Sequence, residues 1–380
     1  MTTLPLFAEI IDREGDCYLE TIQGQHVLHL KGSYYEMGYA HGKLLQKEIQ
    51  ANVTNYIDKK REGFEEQTTG FQNHLMTMLS HTPNPFIEEI RGMAAGSNIP
   101  FIKLLILNLF PEMFHCSGLV AFNDATKNGE FYHVRVLDYS IGKNLQETAV
   151  LIVAEPERKI PFVNVSYAGF IGSITGMNLE QISVGEIGGK GYGSWEGMPM
   201  AFLMRELLEN ADSLEIAKQI FSETKRTCEY YYVVSDGKTQ DAFGAYATKE
   251  VLQFIEPSTL YTIHSIEHPE GKSFDQPKDC VALSGVDRYP VLRERIMEHY
   301  GAIDELVLQE IIKRPVSMES NLHNVIFLPK ELKLLVAHAG KNGEPACDEP
   351  YTLFSLEELL KSPASVVDEP PVAQALEHAR

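Results

Sequence analysis

A cysteine, an arginine and an aspartate lie close together in the sequence, in an order that suits covalent catalysis. Cys116 begins a strand-rich region, and Arg135 and Asp138 lie on the next strand-like segment. A guanidinium beside a thiol stabilises the nucleophilic thiolate, and a carboxylate can orient an amine or hold the arginine. A cysteine at the start of a strand is, taken alone, more often a small buried hydrophobic residue. The three residues therefore indicate a nucleophilic site only if the fold brings them together.

The connection between the two strands decides whether they meet. Asn128 and Gly129 are typical of a two-residue hairpin turn. Such a turn would leave Arg135 about 20 Å from Cys116, beyond the reach of its side chain. A six-residue connection would instead place Cys116 opposite Leu137, with Arg135 and Asp138 on either side. We therefore predict the wider loop, with Gly129 at positive φ.

The bulk composition excludes several classes of function. The 380-residue chain is 44% hydrophobic and carries a net charge of −20, which disfavours nucleic acid and anionic membrane surfaces. It has no basic segment followed by an apolar run at its start and no apolar stretch of about 20 residues. Its five scattered cysteines form no C-x-x-C pair. We therefore expect a cytoplasmic protein with free thiols and no membrane span; homo-oligomer formation stays open.

The element pattern changes near residue 116. Before it, Ser33 and Glu36 form a capping box, and Gly38 and Gly42 would let another backbone approach their helix. After it, strand-like runs recur at 119–122, 131–137, 149–154, 162–167, 182–184, 230–234, 242–246, 252–255, 260–263, 324–328 and 334–337, with helices at 200–210 and 213–221. This pattern predicts an α+β fold of antiparallel sheets covered by helices. We expect a helical segment 1–115, a strand-rich segment 116–362 of the same domain, and a loose tail 363–380.

Other motifs give competing interpretations. His264, Glu267 and His268 spell H-x-x-E-H, a zinc motif that needs a helix, whereas a strand precedes it and Pro269 follows it. Cys116 could also pair with His115 or His133, as in papain-like proteases. The glycines at 188, 189, 191 and 193 fit no nucleotide-binding fingerprint. We therefore expect no metal and no cofactor.

Several short motifs in a fixed order resemble one enzyme family. They are found at residues 32–42, 116–118, 135–138, 172–178 with 182–186, 197–199 with 205–208, 284–288 and 322–327. The chain resembles the penicillin acyltransferase (isopenicillin N acyltransferase) family of N-terminal-nucleophile hydrolases. Relatives of that family include conjugated-bile-acid hydrolases, acid ceramidase and N-acylethanolamine acid amidase.

The resemblance implies a four-layer αββα sandwich and self-cleavage of the bond between His115 and Cys116. The freed α-amine, with a pKa of about 7.7–8.0, would then take the proton of a thiol whose pKa is about 8.5. Attack on a linear amide would give a thioester, which water or an amine resolves. The implied substrate is a small N-acyl amino acid, N-acyl amine or peptide-like molecule. An acyltransferase would use the same intermediate, and a non-cleaving relative would only bind an acyl ligand or a protein.

The resemblance also implies roles for individual residues. Asp138 would orient the new amine, and Arg135 would favour the thiolate. Asn178 and Glu186 would lie near the oxyanion or the leaving group. Arg288 would support the site from a distant strand. His264 stands where many relatives have an asparagine, so its imidazole would donate to the oxyanion. His115 is bulkier than the glycine that precedes the nucleophile in some relatives.

Overall fold

Two stacked β-sheets, each covered by helices on its outer face, form the protein. The computed structural model describes residues 8–59, 68–109, 115–139, 141–189, 194–263, 270–285 and 287–361, without the side chains of 68–73, 115 and 263. The expected loose tail at 363–380 lies outside these ranges. No helix within them is long and apolar enough to cross a membrane.

The described residues contain eighteen strands, fifteen of them after residue 114. In chain order they are β1 Ala8–Glu14, β2 Cys17–Ile22, β3 Gln25–Gly32, β4 His115–Asn123, β5 Gly129–Asp138, β6 Ala149–Pro156, β7 Phe162–Tyr167, β8 Thr175–Asn178, β9 Ile182–Gly188, β10 Tyr230–Asp236, β11 Asp241–Ala247, β12 Leu252–Ile255, β13 Leu260–Ile263, β14 Lys272–Asp275, β15 Cys280–Ser284, β16 Asn321–Leu328, β17 Lys333–His338 and β18 Thr352–Ser355. Ten strands form a large sheet in the order β1-β2-β3-β6-β7-β8-β9-β10-β11-β12, and six form a smaller one in the order β15-β4-β5-β16-β17-β18. β13 and β14 pair separately.

The first three strands were not anticipated from the sequence. Residues 8–32 form a meander that joins the large sheet because β3 pairs in parallel with β6. The other pairings in the described sheets are antiparallel. The segment 1–115 is therefore part strand and part helix, and it shares a sheet with the segment that follows Cys116.

Glycines at the interface let the two sheets approach closely. A Cβ atom on Gly118 in β4 would lie 2.8 Å from Ile187 Cδ1 and 3.0 Å from Val233 Cγ2 of the large sheet. Helices cover the outer faces: α1 Tyr34–Leu44, α2 Gln46–Val53, α3 Thr68–Ser80, α4 Asn84–Ser97, α5 Phe101–Leu109, α6 Met200–Asn210, α7 Leu214–Glu223, α8 Tyr289–Glu298, α9 Glu305–Ile311 and α10 Leu356–Leu359. Short helical turns lie at Thr54–Asp58, Ile141–Lys143, Leu145–Thr148, Pro329–Glu331 and Ala346–Asp348. The expected α+β sandwich is confirmed.

The helix signals of the first third also hold. Ser33 caps α1, and Glu36 closes the capping box from its own side chain. Gly38 of α1 faces the carbonyl of Glu89 on α4, and Gly92 of α4 in turn faces the carbonyl of Tyr35 on α1. The two backbones are therefore in direct contact, as the glycine spacing predicted.

Replacing Gly38 with alanine should destabilise the protein, because the new Cβ would overlap the Glu89 carbonyl. Overpacking of this kind typically costs about 1–3 kcal/mol. Urea unfolding should show a lower midpoint with an unchanged m-value. Ala95→Ser, on the exposed face of α4, adds one heavy atom without a clash and should stay within about 0.5 kcal/mol of the parent. Equal midpoints for the two variants would contradict this interpretation.

Candidate active site

The hairpin formed by β4 and β5 has the register that a site around Cys116 requires. Cys116 pairs with Leu137, and Asn123 pairs with Gly129 after a register shift near Ala121. Gly129 has φ +71° and Asn128 has φ +64°. The wide connection is confirmed; it is one residue shorter than predicted because a bulge sets two residues of β5, Glu130 and Phe131, against Phe122 of β4.

The Cys116 thiol contacts a buried arginine. Arg135 Nη2 donates to Cys116 Sγ at 3.2 Å and lies 3.4 Å from Glu186 Oε2. Cys116 is 1% exposed, and the other two side chains are fully buried. The guanidinium therefore bridges the thiol on one sheet and a carboxyl group on the other.

Burial has the largest effect on the pKa values of Cys116 and Glu186. Burial raises the pKa of the Cys116 thiol to about 11, with the Arg135 charge opposing the rise. Burial also raises the pKa of Glu186 to about 7, again against the influence of Arg135. In the uncut chain the thiol therefore holds its proton at neutral pH, so its activation needs a base.

Gly185 makes room for the arginine. A Cβ atom at this position would lie 2.8 Å from Arg135 Cδ and 3.3 Å from His133 Nε2. A larger residue at position 185 would displace the Arg135 side chain, which lies between the two sheets. The glycine is thus required beside Glu186 for a steric reason.

Asp138 and Arg288 form a second charged pair on the other side of Cys116. Arg288 Nη1 donates to Asp138 Oδ2 at 2.5 Å, and Arg288 Nη2 donates to the Cys116 carbonyl at 3.1 Å. The Met318 amide donates to Asp138 Oδ1 at 3.0 Å. Burial raises the pKa of Asp138, whereas the Arg288 charge opposes this rise. Arg288 lies at the N-terminal end of α8, just after β15, rather than on a strand.

Asn178 does not join these residues, which corrects the expectation that it lies near the oxyanion or the leaving group. Its Nδ2 donates to the carbonyls of Leu208 and Ala211 at 3.0 and 2.8 Å, and its Oδ1 accepts from the Ile182 amide. Met177 pairs with Ser183, so Asn178 lies about four residues, or roughly 13 Å, from Glu186 along the sheet. Its amide is used to anchor the end of α6.

Of the three histidines considered for the site, only His133 has a described side chain. His133 pairs with Val120, four positions from Cys116 in β4, and its Nδ1 is bonded to Ser235 Oγ at 2.8 Å. It therefore does not serve as a base for the thiol. The side chain of His115 and the whole of His264 lie outside the described residues, as does the rest of the H-x-x-E-H motif. Within the described ranges, no three His, Cys, Asp or Glu side chains form a group that could hold a metal.

A mainly apolar cleft lies next to the end of β5. Its wall includes Leu137, the cross-strand partner of Cys116, and its empty space is about 780 Å³ with the open mouth included. The lining side chains come from distant parts of the chain and include Met78, Leu107, Asn108, Tyr139, Tyr167, Phe170, Ile174, Trp195, Met200 and Tyr230. No local sequence pattern predicts this lining, because only the fold brings these residues together.

The raised pKa of Glu186 predicts a pH-dependent stability. In a single-chain Cys116→Ala background, folded protein holds the Glu186 proton up to about pH 7, whereas an unfolded chain releases it near 4.5. Raising the pH through this interval should therefore lower the contribution of Glu186 to the free energy of unfolding. The free energy of unfolding of Glu186→Gln, measured by urea unfolding across the interval, should accordingly rise relative to that of the background protein as the pH increases. Parallel pH curves for the two proteins would show that Glu186 titrates normally.

Comparison with known proteins places this geometry in context. No protein-family model matches the chain. The protein dcd1B of Dictyostelium discoideum is 27% identical over 349 residues, covering 83% of this chain and 68% of that protein. Acid ceramidase of Rattus norvegicus is 26% identical over 235 residues, or 54% of this chain, and acid ceramidase of Pan troglodytes is 30% identical over 200 residues, or 46%.

The chain matches about half the length of these acid ceramidases. The chain spans 58% of the length of the rat protein and 49% of that of the chimpanzee protein. A solved structure of the Caenorhabditis elegans N-acylethanolamine-hydrolyzing acid amidase ortholog aligns with a TM-score of 0.44 at 17% identity, covering 57% of this chain and 93% of that one. The chain is related to the acid ceramidases, and its resemblance to the N-terminal-nucleophile hydrolases is confirmed.

Proposed function

We propose that the protein is a cysteine amidohydrolase that cleaves linear N-acyl amides after cutting its own chain before Cys116. The contact that carries this proposal is the 3.2 Å hydrogen bond from Arg135 Nη2 to Cys116 Sγ inside a fully buried site. A guanidinium fixed at this distance favours the thiolate in which nucleophilic attack begins. A structural cysteine in an apolar core would have no such charged partner.

Self-cleavage is proposed as an N-to-S acyl shift. The Cys116 sulfur attacks the carbonyl carbon of residue 115, the C–N bond of that peptide breaks, and the nitrogen takes the thiol proton and leaves as the α-amine of Cys116. Water then hydrolyses the resulting thioester, which frees the carboxyl end of residue 115 and returns a thiol. Arg288, which holds the Cys116 carbonyl at 3.1 Å and Asp138 at 2.5 Å, fixes the chain on the far side of the scissile bond.

Substrate turnover repeats the same chemistry on an external amide. The α-amine of Cys116 takes the thiol proton, the sulfur attacks the amide carbonyl, and the amine half departs with a proton. Asp138 lies opposite residue 115 across the strands, so its carboxylate is well placed to orient the new amine. Water then releases the acyl half from the thioester.

The apolar cleft supports an acyl group as the part of the substrate that lies beside the thiol. Leu137 links the cleft to Cys116, and most of its lining is aliphatic or aromatic. Such a surface suits a hydrocarbon chain or ring and gives a charged amine half little to bind. Acid ceramidase, whose name denotes hydrolysis of an N-acylated lipid, is a relative that points the same way.

An intact-mass measurement of purified protein tests the maturation step. Cleavage before Cys116 gives fragments of 115 and 265 residues. Incubation with N-acyl amides should then produce a thioester on the 265-residue fragment that hydroxylamine removes. Release of free acid marks a hydrolase, and transfer to an added amine marks an acyltransferase. An uncut chain that still turns over amides would overturn the α-amine as the base.

A further inference from the structure

One wall of the cleft is a loop whose backbone is held by side chains. It runs from Ala168 to Ile174, between β7 and β8, and Phe170, Gly172 and Ile174 line the cleft. Gly169 has φ +89°, a conformation that other residues rarely adopt, and a Cβ there would lie 3.2 Å from Ile49 and Leu107. The loop is therefore shaped by its surroundings rather than by regular secondary structure.

Three polar side chains from the segment before Cys116 bind this loop. Asn108 Nδ2 donates to the Gly169 carbonyl at 2.9 Å, and Asn108 Oδ1 accepts from the Ile171 amide at 2.9 Å. His41 Nε2 accepts from the Gly169 amide at 3.0 Å. Asn52 Nδ2 donates to the Ala168 carbonyl at 2.8 Å.

These three residues come from three different helices and are all buried. His41 and Asn52 are fully buried in α1 and α2, and Asn108 is 8% exposed in α5. Burial lowers the pKa of His41 to about 3, so its ring is neutral and can accept a hydrogen bond at neutral pH. Buried amides and carbonyls left without such partners would destabilise the fold, so these contacts favour one loop conformation.

The strand-rich segment holds the other half of the loop. Arg205 Nη1 donates to the Ile171 carbonyl at 2.7 Å, and Asn164 Nδ2 donates to the Gly172 carbonyl at 2.9 Å. The loop ends where the Glu186 amide donates to the Ile174 carbonyl at 3.0 Å. The cleft wall thus joins the N-terminal helices at one end and a residue of the Arg135 site at the other.

We propose that Asn108, His41 and Asn52 are positioning residues that fix the Ala168–Ile174 wall, so that the segment before Cys116 selects the acyl group. This inference rests on the proposed amidase function. Asn108 has the largest share, because one amide group holds both an N–H and a carbonyl of the loop. None of the three residues contacts Cys116 or Arg135 through a hydrogen bond, so they act on binding of the acyl half and leave bond cleavage to the site.

Asn108→Leu tests the proposal, since leucine keeps the volume and loses both loop contacts. Asn210→Leu is the matched control: Asn210 also donates to the carbonyl four residues earlier in its helix, but it lies away from the cleft. Turnover is measured for N-acyl amides that share one amine half and differ in acyl length. Asn108→Leu should self-cleave normally and raise KM about tenfold for the longest acyl groups, with kcat within about threefold. The control should match the parent.

A binding measurement separates this inference from the amidase proposal. Trp195 is the single tryptophan of the chain and lines the cleft, so its fluorescence reports on occupancy. Dodecanoate is titrated into Cys116→Ala with and without Asn108→Leu, and Kd should rise about tenfold with the second change. If the parent hydrolyses no amide but Kd still shifts, the amidase proposal fails and the wall inference stands. Unchanged Kd and unchanged KM profiles would overturn the inference.

A second variant tests the same proposal at another contact of the loop. If Asn108→Leu does not fold, His41→Leu removes only the acceptor for the Gly169 amide and should cause a smaller shift of the same kind. A His41→Leu protein that binds dodecanoate like the parent would count against the proposal. His41→Gln, which keeps a hydrogen-bond acceptor on the side chain, should restore most of the affinity that His41→Leu loses.

Discussion

Replacing Cys116 with alanine is expected to leave one uncut chain with no amide turnover. The substitution removes the sulfur that attacks both the residue 115 carbonyl and the substrate. The fold should survive, because the change deletes one atom and Arg135 keeps its contact with Glu186. Intact mass should show a single species of 380 residues, and circular dichroism should match that of the parent.

A buried cysteine on the neighbouring strand provides the matched control for this variant. Cys280 lies in β15, opposite Ala121 of β4, and is as inaccessible as Cys116. Cys280→Ala should self-cleave and turn over substrate like the parent, since no charged side chain contacts its thiol through a hydrogen bond in the described residues. Residual activity in Cys116→Ala above the background of the assay would remove the basis of the proposed function.

Replacing Arg135 with methionine should lower kcat/KM by about 10²–10³-fold, a loss typical of removing a charge-stabilising donor. Without the guanidinium, burial and the charges of Glu186 and Asp138 would raise the pKa of the thiol further, and it already lies near 11 with Arg135 in place. Self-cleavage should slow for the same reason. Turnover by the purified, fully cleaved fraction separates the two steps.

Loss of the arginine would also leave Glu186 without its partner, so stability must be separated from chemistry. The double variant Arg135→Met with Glu186→Gln removes the whole buried ion pair and should fold better than Arg135→Met alone. Its turnover should stay as low, because the thiol still lacks its cation. Arg293→Met, at an exposed pair with Asp275, is the control and should change nothing. Turnover in the double variant near that of the parent would rule out a catalytic role for Arg135.

The residues close to Cys116 in sequence could be placed without the structure. Strand pairing has a fixed period, so one assumption about the loop determined that Cys116 lies opposite Leu137 and that Arg135 reaches the thiol. The capping box at Ser33 and the spacing of Gly38 and Gly42 on α1 were equally local signals. Each depends on residues within a few turns or one hairpin of each other.

Motif order without geometry failed for Asn178. Its position within a family-like stretch suggested a place near the oxyanion, but successive residues of a strand face opposite sides of the sheet. Asn178 lies on the same side as Gly176, whose Cβ would meet Leu208 of α6 at 2.6 Å. The side chain therefore points to the helix layer, away from the interface between the sheets.

The sequence by itself determined which reactive residues the hairpin carries. The tertiary structure decided which distant side chains contact them and how deeply they are buried. Glu186 and Arg288 are 70 and 172 residues from Cys116, and no local period predicts which of their atoms meet the site. The pKa of the thiol, the space made by Gly185 and the cleft beside Leu137 depend on two sheets packing face to face. Burial is a property of that packing, because desolvation depends on every neighbour of a group and not on its sequence alone.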